Sequence, residues 1–128
     1  MANAFKPAGY NSLSPYLIVR DAAGTIDFLK ATFAAVELSR HTNDGGGIMH
    51  AEVKVDDTII MLGDAADGWP AVDAHIHVYV ADVDAVYAKA LAAGGTAIQE
   101  PIRKGDNDKR GGVRDPFGTT WWLATKVA

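Results

Sequence analysis

The chain has 128 residues, 48% of them hydrophobic and 22% charged, with a formal net charge of -4. That length and balance predict one globular domain with its own core, and exclude a disordered or coiled-coil composition. The 12 Lys and Arg residues are scattered along an acidic chain, which argues against nucleic-acid binding, and the absence of Cys excludes thiol catalysis, disulfides and cysteine-based zinc sites.

Residues 1–10 lack both a basic start and a continuous apolar run, so neither a signal peptide nor a membrane span is expected there. Residues 1–12 read as a mobile arm, and the composition suits a cytoplasmic protein. An aliphatic strand is predicted over residues 15–19. Asp21 then caps a helix over residues 22–35, with Ile26, Leu29, Phe33 and Val36 as its apolar stripe. A glycine-rich loop, Asp44-Gly45-Gly46-Gly47, precedes two strands over residues 48–55 and 58–62, joined by a tight turn at Asp56-Asp57. Residues 65–73, with Gly68 and Pro70, have no periodicity and read as a linker.

The order then repeats. Residues 75–80 form a strand, Asp82 caps a helix running to residue 93, and Gly94-Gly95 stop it. Weaker strands are expected at residues 98–102 and 112–114, flanking a charged loop over residues 103–110. The turn Asp115-Pro116-Phe117-Gly118 leads into a last strand over residues 119–125. At a constant offset of 61 the halves align without a gap, pairing Val19 with Val80, Asp21 with Asp82, Ala31 with Ala92 and Leu62 with Leu123. The prediction is an α+β fold of two tandem βαβββ modules in one domain over residues 13–128, with module one over 13–64 and module two over 74–126.

Strand alternation puts His75, His77 and Tyr79 on one face, and Ala74, Ile76, Val78 and Val80 on the other. Two imidazoles and a phenol on one sheet face suit the floor of a cleft. Tyr16, Met61 and Trp122 are expected beside them, a set suited to a flat or amphipathic organic molecule. His50 and Glu52, two apart on their strand, also share a face. Trp121 and Leu123 point the other way, toward a helix.

The segments SPYLIVRDAAGTIDFLKATFAA, IMHAEVKVDDTIIMLGD and GGVRDPFGTTWWLAT resemble the vicinal oxygen chelate superfamily, which includes glyoxalase I, bleomycin-resistance proteins and extradiol dioxygenases. The similarity is strongest to its PhnB-like branch. The resemblance implies modules whose curved sheets enclose a U-shaped cleft, and a homodimer. In that branch the first helix usually ends on glycine, where this chain has Ala34.

Metal-dependent relatives carry four His, Glu or Gln ligands, and the resemblance maps those positions onto Ser14, Met61, His75 and Trp122. Of the four, His75 alone is a competent donor for a divalent ion. The expectation is therefore a protein without a metal cofactor that binds or sequesters a small hydrophobic or aromatic molecule. Its expected lining is Tyr16, His50, Glu52, Met61, His75, His77, Tyr79 and Trp122, and no nucleic acid or membrane is expected among its partners. The alternative is a glyoxalase-type lyase or isomerase holding a divalent ion on a relocated set, His50, Glu52, His75 and His77. Sequence alone leaves open whether a reaction is catalysed, and whether one chain or two complete the cleft.

Overall fold

The computed structural model describes residues 5–128, and the first four residues of the expected arm lie outside that range. Two four-stranded sheets each carry one helix. Module one contains β1 (Tyr16–Val19), α1 (Ala22–Phe33), β2 (Val36–Thr42), β3 (Ile48–Val55) and β4 (Thr58–Asp64). Module two contains β5 (His75–Tyr79), α2 (Val83–Ala92), β6 (Thr96–Arg103), β7 (Asp108–Arg114) and β8 (Thr120–Lys126). The strand orders are β1-β4-β3-β2 and β5-β8-β7-β6, and the first strand of each module pairs in parallel with its last. The predicted α+β fold of two βαβββ modules is the one observed.

Both helices start where the sequence places them. Asp21 accepts from Gly24 N at 2.9 Å and Asp82 from Ala85 N at 3.2 Å, so each carboxylate satisfies a first-turn N–H that has no partner within the helix. A second cap comes from the last strand of each module. Asp64 Oδ1 accepts from Ala22 N at 2.7 Å, and Thr125 Oγ1 accepts from Val83 N at 2.9 Å. Each sheet is thereby tied to the start of its own helix.

The helix-facing sides of both sheets share one core. Leu17, Val19, Ala51, Val53 and Leu62 of module one join Val113, Trp121 and Leu123 of module two beneath α1 and α2, which pack against each other. Phe33 of α1 meets the fully buried Trp121 of β8 with ring centroids 5.6 Å apart. Trp121 Nε1 donates to Asp115 Oδ2 at 2.8 Å, while Asp115 Oδ1 accepts from Phe117 N and Thr119 N at 2.8 and 3.2 Å. One carboxylate with 2% exposure thus shapes the β7–β8 turn and orients the largest core side chain.

Four expectations need correction. Helix α1 ends at Phe33 rather than residue 35, because Ala34 turns into the left-handed region at φ 54°. Val36 accordingly leaves the helical stripe and opens β2, where it is 58% exposed. Strand β2 itself escapes prediction because VELSRHT is an edge strand with only two aliphatic residues. The charged segment expected to be a loop over residues 103–110 instead contributes Asp108, Lys109 and Arg110 to β7. Finally, Ala51 partners Leu62 whereas Gly111 partners Leu123, so the module offset is 60 in the third strand and 61 in the fourth. The extra residue lies in the turn that Asp115 organises.

Two stability outcomes follow. Asp115→Ala leaves three donors without their acceptor and should destabilise the fold by about 3 kcal/mol, read as a lower urea midpoint at unchanged slope. Ala34→Gly removes the Cβ penalty of a left-handed residue and should raise stability by about 0.5–1 kcal/mol in the same assay.

Candidate ligand-binding site

With one face of each sheet buried under a helix, the alternate side chains point away from the core. On sheet one this open face carries Tyr16, His50, Glu52 and Met61. Tyr16 and Glu52 both sit opposite Met61 in the strand register. Tyr16 Oη lies 3.0 Å from His50 Nδ1, and His50 Nε2 lies 2.9 Å from Glu52 Oε2. The Tyr10 hydroxyl donates to the other oxygen, Glu52 Oε1, and Asn11 bonds Thr58 Oγ1 at 3.1 Å, so both residues of the N-terminal segment contact the first sheet.

The direction of this hydrogen-bond chain can be deduced. Bonds from His50 and Tyr10 hold the Glu52 carboxyl below the usual carboxylate range, and the same bond holds the Tyr10 phenol above its usual value. An ionised carboxylate only accepts, so His50 Nε2 carries the proton. In the neutral imidazole Nδ1 is then a bare lone pair, and Tyr16 must donate to it.

On sheet two the open face carries His75, His77, Tyr79, Arg110 and Trp122. Trp122 Nε1 donates to His75 Nδ1 at 3.0 Å, and the two rings lie nearly parallel, 10° apart, with centroids at 6.2 Å. Indole N–H can only donate, which fixes neutral His75 as the Nε2–H tautomer. Gly112 makes room for the indole: a Cβ there would stand 2.6 Å from the Trp122 ring. Glu52, which faces Met61 in module one, therefore has as its counterpart a glycine facing Trp122.

Arg110 Nε donates to His77 Nε2 at 3.1 Å, while its Nη2 reaches Asp108 Oδ2 at 2.9 Å. Tyr79 Oη donates to the same Asp108 oxygen at 2.7 Å, which raises the phenol above its usual pKa. Although His77 is exposed on one side, Tyr79 lies edge-on to its ring at 4.8 Å. Burial by such neighbours, and secondarily the Arg110 charge, lower its pKa against the opposing pull of Asp108.

The residues predicted for the site thus form two clusters, one per sheet. His50 joins Glu52 and Tyr16, and His75 joins Trp122, but no hydrogen bond among the described residues links one open face to the other. His50 and Glu52 are not gathered with His75 and His77, and no group of three or more His, Asp or Glu among the described residues is placed to hold a metal ion. Sequence reasoning left Arg110 out of the site as an exposed arginine, and missed Asp108, assigned to a loop, and Trp69, assigned to the linker. The signal for Trp69 was the Asp67-Gly68 pair, a preferred tight-turn dipeptide, which closes a bridge between Ala66 and Trp69. Trp69 borders a cavity of about 610 Å³ whose walls include Tyr16, Ile18, Ile48 and Asp64.

Two βαβββ modules, each with one helix-covered and one open sheet face, define the class of α+β fold to which the chain belongs. Residues 10–123 match the model of the Glyoxalase/Bleomycin resistance protein/Dioxygenase superfamily, and the chain belongs to that family. An uncharacterized protein of Mycobacterium bovis is 36% identical, over 91% of this chain and 84% of its own. The crystal structure of TioX from Micromonospora sp. ML1 shares the fold at TM-score 0.78 and 23% identity, covering 91% of this chain and 98% of that one. TnmS3, an antibiotic binding protein from Streptomyces sp. CB03234, does so at TM-score 0.70 and 20% identity, covering 98% and 99%. A PhnB protein is also among the structures that share the fold.

The lowered pKa of His77 gives a check by NMR. Its imidazole should titrate below the ordinary histidine value, and Arg110→Ala should move it only partway back, since burial is the larger cause.

Proposed function

We propose that this protein binds a small hydrophobic or aromatic molecule on its open sheet faces without a metal ion, as a cytoplasmic homodimer. The observation that carries this reading is the bond from Trp122 Nε1 to His75 Nδ1. Of the four positions to which the resemblance assigns metal ligands, Ser14, Met61 and Trp122 offer no imidazole or carboxylate. The remaining one, His75, has its neutral lone pair engaged by an indole. A divalent ion at Nε2 would require the imidazole proton to move to Nδ1, directly against the Trp122 N–H. The donor set does not fit a divalent ion, whereas aromatic rings with a few directed polar groups fit an organic ligand.

The dimer reading is supported by the separation of the two clusters within one chain. A second copy can bring the module-one face of one chain toward the module-two face of the other, completing a two-sided cleft from two one-sided halves. Exposed apolar groups on or near these faces, including Tyr16, Trp69 and Tyr79, are suited to such coverage. The fold shared with an antibiotic binding protein is compatible with this reading and adds only the fold to it.

Protein purified without a histidine tag should contain far less than one divalent ion per chain and elute as a dimer in size exclusion with light scattering. Added Zn²⁺, Ni²⁺ or Mn²⁺ should leave its unfolding temperature unchanged, whereas a specific site filled at 100 times its Kd would stabilise by about 2.7 kcal/mol. A stoichiometric ion lost in His75→Ala would overturn the metal-free reading and favour a lyase or isomerase built on His50, Glu52, His75 and His77.

A further inference from the structure

The cavity beside Trp69 is lined by module one and the segment that follows β4, with Asn43 and Asp64 as polar neighbours, and the hydrogen bonding of its Tyr16 wall is set by residues outside it. Its walls are mainly apolar: Ile18 and Ile48 on the sheet, Ala65 and Ala66 after β4, and the indole of Trp69, which is 67% exposed. At about 610 Å³ it lies within the range of sites for drug-sized molecules. Asp64, also at its edge, has both carboxylate oxygens engaged by backbone, Oδ1 by Ala22 N and Oδ2 by Ile48 N, each at 2.7 Å. Tyr16 also borders the cavity, and its hydroxyl hydrogen is committed to His50 Nδ1 at 3.0 Å.

We infer that this cavity is a binding site for a flat aromatic molecule bearing an O–H or N–H donor, with Trp69 as its apolar wall and the Tyr16 oxygen as the acceptor. The selectivity comes from the chain Glu52–His50–Tyr16. Glu52 orients His50 with its proton on Nε2, His50 takes the Tyr16 hydrogen, and the phenolic oxygen presents lone pairs alone. A ligand hydroxyl can donate to that oxygen, whereas an ether or ketone at the same place meets a second acceptor and leaves both groups unpaired. Trp69 is held for this role by reciprocal backbone bonds with Ala66, at 2.8 and 2.9 Å, across the turn in which Gly68 takes φ 79°. His50 and Glu52 are positioning residues here and need not touch the ligand.

The inference rests on the open faces being ligand-binding surfaces, and the test separates the two. 2-Naphthol and 2-methoxynaphthalene, which differ in that donor, are titrated by calorimetry into the full chain near neutral pH. The naphthol should bind about tenfold more tightly than the ether, the effect of one well-placed hydrogen bond. Tyr16→Phe should bring the ratio to about one while preserving ether affinity. His50→Ala frees the Tyr16 hydroxyl to donate and should narrow the ratio by improving the ether. Trp69→Ala, at an exposed position, should weaken both probes about tenfold. A ratio that survives Tyr16→Phe overturns the inference. So does binding lost in Trp122→Ala but intact in Trp69→Ala, which leaves ligand binding standing on sheet two. No saturable binding of either probe up to about 1 mM, a Kd equivalent to only ~4.1 kcal/mol, overturns both readings together.

Discussion

Each four-stranded sheet has two faces and a single helix to cover them, and from this constraint the rest of the molecule follows. Burying the aliphatic faces of both sheets under α1 and α2 creates one core across two modules, with Phe33 packed against its Trp121. Strand alternation then obliges every second residue to face away from that core. The aromatic and imidazole side chains at those positions have no helix to meet, and the hydrogen bonds they make within the chain run along the sheet surface. The character of the open faces is thus a consequence of how the core closes.

Those surface bonds have fixed directions, and this matters more than which residue types are present. An inventory of three histidines and a carboxylate reads as a metal site. The arrangement of donors makes something different of it: an indole N–H engages His75, a guanidinium N–H engages His77, and Glu52 assigns the proton of His50. What remains outward from the neutral rings is His75 Nε2–H and His77 Nδ1–H as donors, with the Tyr16 and Tyr79 oxygens as acceptors. Sheet two therefore presents donors beside the Tyr79 acceptor, and sheet one the Tyr16 acceptor, at defined points, a pattern suited to orienting a polar-edged organic molecule.

Much of this was legible in the sequence where a residue has one dominant physical role. Asp21 and Asp82 announced their helices, and the alternation in residues 75–80 placed His75, His77 and Tyr79 on one side. Trp121 and Leu123 were assigned to the buried side by the same rule. Legibility failed where tertiary context decides. Strand β2 is stabilised by pairing with β3 rather than by its own composition, so VELSRHT carries little signal. The charges of β7 read as a loop because their partners, Tyr79 and His77 on β5 and Asp84 on α2, lie far away in sequence. Trp69 was visible as a residue but not as a wall, since the cavity it borders exists only once β1 and β4 are paired.

The comparison between modules shows which features the fold itself demands. The double cap recurs at equivalent places: Asp21 and Asp64 serve Gly24 and Ala22 in the first helix, while Asp82 and Thr125 serve Ala85 and Val83 in the second. Carboxylate and hydroxyl are interchangeable there because either can accept from a helix N–H, so the position tolerates a change of residue but not of role. On the open faces no such equivalence holds. Glu52 opposite Met61 is replaced by Gly112 opposite Trp122, and the loss of a side chain is what lets the indole settle beside His75. A carboxylate at residue 112 would occupy the space that Trp122 fills, and without Trp122 the His75 lone pair would be free. Helix caps and core are thus held in common by the two halves, and their divergence lies on the surfaces that no helix covers.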